Sequence, residues 1–132
     1  MNQFYKKKFH NKVFKNKDFK QFDFWEAEFK NVNFKNCKFN ESIFCDAIFK
    51  NVLFEKCEIK RSNFSHTKFY NTKFKSSKLR LNNFRDSQRD NKSIIPIKID
   101  LFNKNMKQFD FENINQKRDF YLNKQEKKIF TL

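Results

Sequence analysis

The chain has 132 residues, enough for one domain, with 30 Lys and Arg against 15 Asp and Glu, a formal net charge of +15. Only 38% of residues are hydrophobic, but 21 Phe argue against a disordered chain, because disordered segments are poor in aromatic residues. Gly is absent, which excludes the Gly-rich loops that hold phosphate in nucleotide-binding sites. With no membrane-length apolar stretch and no apolar secretion segment, we expect a soluble, cytoplasmic protein.

An apolar residue recurs at every fifth position from Phe4 to Phe84, and it is Phe at all but two of them. A helix would scatter side chains at this spacing around its axis, and a flat strand would send them to alternate faces. A chain that turns a corner every five residues and winds around its own axis points all of them inward, so the pattern predicts a solenoid. In the regular part of the chain, the predicted core residues are Phe24, Phe29, Phe34, Phe39, Phe44, Phe49, Phe54, Ile59, Phe64, Phe69, Phe74, Leu79 and Phe84.

A second inward position lies two residues before each central apolar residue. We call it the small slot, because a small residue occupies it from Ala27 to Ser77, and large and small side chains together fill a narrow coil. Residues 27–46 match residues 47–66 at a 20-residue offset, so four five-residue sides make one coil. The absence of Gly predicts corners that avoid positive φ. The small-slot residues are Ala27, Val32, Cys37, Ser42, Ala47, Val52, Cys57, Ser62, Thr67, Thr72 and Ser77.

Segments such as CKFNE (37–41), AIFKN (47–51) and SNFSH (62–66) carry this pattern. It resembles the repeat of the pentapeptide-repeat family: a small residue, Asp or Asn, a central Leu or Phe, and two variable residues. The resemblance covers residues 22–87 and, in part, residues 2–21. It implies an all-β fold, a right-handed quadrilateral β-helix solenoid with a solid core and about four coils. The chain departs from the family where Lys, Ile or Glu often precedes the central Phe.

Residues 1–21 are predicted to form a degenerate first coil, ahead of the regular β-helix of residues 22–87. Its small slots hold Lys7, Lys12 and Lys17, and a charge in a core is costly, so either these side chains escape or the coil distorts. Four Asn at 20-residue steps predict a side-chain ladder between coils about 4.8 Å apart. They are Asn11, Asn31, Asn51 and Asn71.

Residues 88–132 are predicted to form an irregular or partly helical C-terminal cap or tail. The repeat ends after Asp90. The sequence of residues 93–102 predicts a strand or extended cap, and that of residues 104–130 predicts one or two short helices. An open solenoid end exposes Phe, so a cap or a homodimer contact is needed there. The alternative is a frayed basic tail. The candidate capping side chains are Phe109, Phe111, Phe120 and Tyr121.

Stacking at 20-residue steps also aligns the charges in columns. One column, Asp18, Lys38, Glu58 and Lys78, alternates in sign, as does the column of Lys35, Glu55 and Lys75, which favours the fold. In other columns the positive charges do not alternate with negative ones, and their basic residues are candidate polyanion contacts. An AT-rich codon bias, which favours Lys, Asn, Phe and Ile, also accounts for part of the net charge. The candidate polyanion contacts are Lys20, Lys30, Lys50, Lys60 and Arg80.

Three outward apolar residues on successive sides of one coil, Ile43, Ile48 and Leu53, are a candidate protein contact, with ordinary scattered surface as the alternative. Trp25 is expected to pack against the first coil.

Cys37 and Cys57 share an inward column, where parallel side chains suit a disulfide poorly, so we expect buried reduced thiols. Cys45 is expected to face outward.

No residue set indicates catalysis, and we expect no enzyme activity. Ser65, His66 and Asp46 occupy neighbouring surface positions, but a convex wall offers no pocket that excludes water. No Cys-x-x-Cys motif or Cys/His cluster is present, so neither a metal nor a cofactor is expected.

The leading functional hypothesis is a non-enzymatic scaffold for protein–protein interaction. The alternative is binding of nucleic acid or another polyanion by the basic surface. A third comes from the resemblance, since some pentapeptide-repeat proteins protect DNA gyrase by imitating DNA with an acidic rod. The basic charge of this chain has the wrong sign for such a topoisomerase-targeting role.

Overall fold

The computed structural model describes residues 2–95 and 103–104, and within them every regular element is a β-strand. Ten of these strands have two or three residues and fit within one five-residue side of a coil, and three have eight residues and run across a corner. The strands are β1 (Asn2–Gln3), β2 (Lys8–Lys15), β3 (Phe22–Asp23), β4 (Glu28–Lys35), β5 (Lys38–Asn40), β6 (Ile48–Glu55), β7 (Glu58–Lys60), β8 (Lys68–Tyr70), β9 (Lys73–Lys75), β10 (Lys78–Arg80), β11 (Asn82–Asn83), β12 (Gln88–Arg89) and β13 (Asn103–Lys104).

Neighbouring coils pair in parallel at a constant offset of 20 residues. Phe9 pairs with Phe29, Phe29 with Phe49 and Phe49 with Phe69. The predicted all-β solenoid of about four turns is confirmed. Because each 20-residue coil has four sides, the rod has four faces, which we name A to D in chain order, so face A lies opposite face C and face B opposite face D. Face A carries Phe4, Phe24, Phe44, Phe64 and Phe84; face B Phe9, Phe29, Phe49 and Phe69; face C Phe14, Phe34, Phe54 and Phe74; and face D Phe19, Phe39, Ile59 and Leu79.

The core consists of stacked Phe rings. Rings one coil apart, such as Phe34 and Phe54, lie nearly parallel with centroids 4.8 Å apart. Rings on neighbouring faces meet edge-on, as Phe34 and Phe39 do at 5.3 Å and 80°. Both arrangements are favourable for aromatic pairs. Of the predicted core residues, all are buried except Leu79, which packs against the core while partly exposed.

The small slot is buried from Ala27 to Thr72 and half-buried at Ser77, and its polar members are hydrogen-bonded. The Ser77 hydroxyl donates to the Phe54 carbonyl at 3.1 Å, and the Cys57 thiol donates to the Phe34 carbonyl at 3.3 Å. Ser42 donates to the Phe19 carbonyl in the same way. Each of these bonds reaches back 23 residues to the preceding coil. A small residue with a hydrogen-bond donor therefore satisfies a buried backbone carbonyl, which an apolar residue in the same slot could not do.

The corners depart from expectation: 17 non-Gly residues, one in every five from Lys6 to Asp86, have positive φ. The prediction that the corners avoid positive φ is wrong. The left-handed region is open to Asn and Asp more than to other non-Gly residues, because their short polar side chains bond locally. Six of the 17 corner residues are Asn: Asn11, Asn16, Asn31, Asn36, Asn51 and Asn71.

The Asn ladder is confirmed. The Asn31 side-chain amide donates to the Asn11 side-chain oxygen at 3.1 Å, and Asn51 donates to Asn31 at 3.2 Å. Asn71 donates to Asn51. The ladder offsets part of the cost of the left-handed corner, because each rung joins two corners in neighbouring coils.

The first coil keeps the register of the rest, with Lys8 opposite Glu28 and Lys15 opposite Lys35. Its small-slot side chains Lys7, Lys12 and Lys17 are exposed, so they escape and the coil does not distort.

Phe22 occupies the small slot between coils one and two. The Phe22 ring stacks on Phe4 at 5.5 Å and meets Phe19 edge-on at 5.2 Å. A large side chain in this slot extends the aromatic core toward the exposed end of the rod.

Coil stacking continues past residue 87. Gln88 pairs with Lys68 at the 20-residue offset, but Ile94 bridges to Lys73 at 21, so one residue is inserted after Arg89. Arg89 takes a central Phe position, is 6% exposed, and donates from a guanidinium N–H to the Ser93 carbonyl at 3.0 Å. The predicted cap, with Phe109, Phe111, Phe120 and Tyr121, lies outside the described residues.

Candidate binding faces

The surface of the rod is a convex wall on which three residues per side point outward, one before the central residue and two after it. The depressions in this wall are shallow and open. One of about 280 Å³ on face D is lined by residues that include Lys20, Asn40 and Lys60. Another, of about 470 Å³ on face B, is lined by residues that include Ile48, Lys50 and Tyr70. Such a wall presents side chains to a partner and does not enclose a small substrate.

The five candidate polyanion contacts do not form one surface. Lys30 and Lys50 are Cα partners on face B, whereas Lys60 and Arg80 are Cα partners on face D, where Lys20 also lies. Residues offset by 20 stack in one column, but residues offset by 10 or 30 fall on opposite faces. One polyanion therefore does not contact all five at once.

The other two faces have net charges of opposite sign. Face A is acidic despite the net charge of the chain, and face C is basic. The outward charged residues of face A are Asp23, Glu26, Asp46 and Asp86, with Lys6 and Arg85. Those of face C are Lys15, Lys35, Lys56, Lys73 and Lys75, with Lys12, which is exposed from the small slot, and Glu55. This charge difference can be found in the sequence, but only when the outward residues of a whole face are grouped together. Columns of residues 20 positions apart do not show it.

Face A also carries the exposed aromatic pair Tyr5 and Trp25, which are 49% and 38% exposed. The Lys6 ammonium lies 5.6 Å from the Trp25 ring centroid and 3.8 Å from a Glu26 carboxylate oxygen. Trp25 thus lies beside the first coil, as expected, and keeps part of its ring in solvent. An aromatic pair bordered by charges is typical of a protein contact.

The turns of face A explain where the family's Asp or Asn is retained. The Asp23 carboxylate accepts a hydrogen bond from the Trp25 N–H at 3.0 Å. Asn63 and Asn83 accept the equivalent bond from Ser65 and Arg85, both at 2.9 Å. In these three coils a short polar side chain before the central Phe caps the tight turn of face A.

The candidate protein contacts Ile43, Ile48 and Leu53 are half-buried and lie on faces A, B and C. They form a girdle around one coil and not a single patch. The large apolar residues that are exposed lie elsewhere, and Tyr70, 42% exposed, is one of them. Its ring centroid is 5.9 Å from the Lys50 ammonium.

All three cysteines are free, and Cys37 and Cys57 are buried, as expected for reduced thiols. The Cys37 thiol donates to the Phe14 carbonyl at 3.4 Å, and the neighbouring Cys37 thiol and burial both raise the pKa of Cys57. Cys45 is half-buried, and its sulfur accepts a hydrogen bond from the Ser65 hydroxyl at 3.3 Å. The Cys37 and Cys57 thiols pack and bond like the Ser residues of equivalent slots.

The two histidines pair with carboxylates on different faces. His10 lies 2.9 Å from a Glu28 carboxylate oxygen, and this hydrogen bond lowers the pKa of Glu28. His66 lies 3.7 Å from Asp86. Ser65 bonds to a thiol, so the three neighbours considered for catalysis are not connected as nucleophile, base and orienting acid. In residues 2–95 no cluster of three or more His, Cys, Asp or Glu side chains is placed to hold a metal.

No helix in the described part of the chain has the length and apolar character to cross a membrane.

Sequence and structure comparisons identify the repeat. A family model described as "Pentapeptide repeat region" matches residues 1–64, and one described as "Pentapeptide repeats (8 copies)" matches residues 47–86. No curated protein sequence matches the chain.

Two of the similar solved structures are of trypsin-treated, singly substituted forms of QnrB1, a plasmid-mediated fluoroquinolone resistance protein. The first form is 17% identical, with a TM-score of 0.41, over 70% of this chain and 68% of that one. The second is 13% identical, with a TM-score of 0.19, over 66% of this chain and 72% of that one. On the two family matches, which together span residues 1–86, the chain belongs to the pentapeptide-repeat family.

Proposed function

We propose that this protein is a non-enzymatic scaffold that binds another protein through face A. The observation that carries the proposal is the exposed pair Tyr5 and Trp25 on a face with four carboxylates. Aromatic residues are enriched among the side chains that contribute most to protein–protein affinity. The convex wall and solid core support binding over catalysis.

The chemistry of face A supports a proposal for the kind of partner. Asp23, Glu26 and Asp46 border the aromatic pair, so a complementary protein surface has an apolar pocket with a basic rim. Tyr5 and Trp25 occupy the same position of the repeat in neighbouring coils, so their backbones are fixed about 4.8 Å apart by the solenoid. Such a rigid pair binds with little loss of conformational entropy.

A capture experiment tests this. The tagged protein and a Tyr5→Ser/Trp25→Ser variant are incubated with nuclease-treated lysate of the native host, and retained proteins are quantified. Tyr70→Ser, which removes an exposed aromatic ring from face B, is the matched control. We expect proteins that the control retains and the double variant loses. Retention that is equal in all three forms would count against face A.

A topoisomerase-targeting role has weaker support, because four carboxylates on one face of a basic rod do not reproduce the continuous negative potential of DNA. We expect gyrase supercoiling, and its inhibition by a fluoroquinolone, to be unchanged by added protein. Protection of gyrase in that assay would overturn this expectation.

A further inference from the structure

We propose that face C is a second binding surface, one that binds the phosphate backbone of double-stranded nucleic acid. This goes beyond the protein-scaffold function, since face C lies opposite the acidic face A.

The lysines of face C lie in register along the rod. Lys15 is the Cα partner of Lys35, Lys35 of Glu55 and Glu55 of Lys75. Coils are about 4.8 Å apart, so this column is about 14 Å long. Lys56 follows Glu55 at the corner, and Lys73 lies beside Lys75 on the same strand, β9.

The Lys30–Lys50 pair on face B directly precedes the corner residues Asn31 and Asn51, beyond which face C begins, and so extends the basic surface.

Codon bias does not explain this arrangement. An AT-rich bias sets how many lysines the chain has, but not which face lacks carboxylates. On face D, Lys38 and Lys78 alternate with Asp18 and Glu58 in one column, and Glu41 adds a third carboxylate to the face that also carries Lys20, Lys60 and Arg80. On face C, Glu55 is the single outward carboxylate among the described residues.

The composition of face C favours nucleic acid over protein. Its basic residues are all Lys, and none of its outward residues within the described part of the chain is Arg or aromatic. Protein interfaces are depleted in Lys and enriched in Arg and aromatic residues, whereas Lys contacts phosphates as a point charge. Single-stranded nucleic acid is bound through base stacking on aromatic rings, which face C lacks, so the duplex backbone is the better fit.

The expected salt dependence follows from the number of lysines in reach. About four phosphate contacts give a slope of about −3.6 in log affinity against log salt. Affinity then falls about 150-fold between 50 and 200 mM salt. Contacts of this kind read no bases, so duplexes of different sequence bind equally.

Fluorescence anisotropy with a labelled 24-base-pair duplex, titrated over 50–200 mM salt, tests the proposal. The test variant is Lys35→Gln/Lys73→Gln/Lys75→Gln on face C. The matched control, Lys20→Gln/Lys60→Gln/Lys68→Gln, removes the same charge from faces B and D.

We expect the face C variant to lower the salt slope by about three, since each phosphate contact contributes about one, and the control to retain the wild-type slope. Circular dichroism confirms that both variants fold.

A change of the opposite sign gives a second test. Glu55→Gln removes the carboxylate from the lysine column and is expected to tighten duplex binding at every salt concentration. The proposal is overturned by absence of binding at 50 mM salt, or by equal weakening in the two triple variants. It is also overturned if an acidic peptide of equal charge competes as well as unlabelled duplex, because that result indicates an acidic protein partner.

Discussion

Replacing one ring of a central Phe stack by Ala should cost more than the same change at the end of the rod. Phe54 is fully buried and lies between Phe34 and Phe74, with ring centroids 4.8 and 4.3 Å away. Deleting a buried Phe ring costs about 3–5 kcal/mol, through lost burial and the cavity left behind. We expect Phe54→Ala to fall in this range.

Phe9 provides the comparison. It is half-buried in the first coil and stacks on Phe29 alone, with centroids 5.1 Å apart. With a ring on one side and solvent on the other, Phe9→Ala is expected to cost about 1.5–2.5 kcal/mol, half the cost of a fully buried ring. Repeat proteins are stabilised by contacts between neighbouring coils, so a central residue contributes to two interfaces and a terminal one to a single interface.

Urea unfolding followed by far-ultraviolet circular dichroism measures both costs, with an unchanged m-value as the check on two-state behaviour. Phe54→Leu keeps the comparison measurable if the Ala variant fails to fold. We expect it to cost about 1–2 kcal/mol, because Ile59 and Leu79 show that the position accepts aliphatic residues. Equal costs for Phe9→Ala and Phe54→Ala would refute the stacked-ring core.

Lys56→Asn should stabilise the protein by about 1 kcal/mol, because Asn suits the left-handed corner at φ 55° and its side chain can hydrogen-bond to Asn36, as Asn36 does to Asn16. A lower urea midpoint than that of the wild type would contradict this. The lowered pKa of Glu28 predicts stability that is present above pH 4.5, its ordinary value, and is lost as pH falls through the folded-state pKa. Urea midpoints from pH 3 to 7 should decline less at low pH in Glu28→Gln, and an identical profile would show that the bond to His10 does not contribute. Iodoacetamide should label Cys45 before the two buried cysteines, as mass spectrometry of timed samples will show; labelling of all three at one rate would contradict their burial.

The five-residue period and the small slot were sufficient to predict the solenoid, because each depends on which side chains fit in a narrow core. The Asn ladder followed from the 20-residue offset in the same way. The positive φ of corners such as Lys56 and Leu81 did not follow, since their side chains carry no preference for it and the geometry of the coil imposes it.

The binding surface was harder to predict. A column of like charges is visible in the sequence at 20-residue steps, but the charge of a face depends on all the columns that lie side by side on it. Lys30 and Lys60 were grouped by charge, although they lie on opposite faces. The central position of Arg89 was also not predicted, because an Arg in place of the central Phe indicates the end of the repeat. In the structure its guanidinium is buried and donates to a backbone carbonyl.

The central claim is that two opposite faces of the rod bind different partners, and a crossed capture experiment tests it most directly. Wild-type protein, Tyr5→Ser/Trp25→Ser and Lys35→Gln/Lys73→Gln/Lys75→Gln are each incubated with host lysate, and retained protein and nucleic acid are quantified separately. The account predicts that the face A variant loses protein and keeps nucleic acid, while the face C variant does the reverse. Loss of both ligands in both variants, or of neither in either, would contradict it.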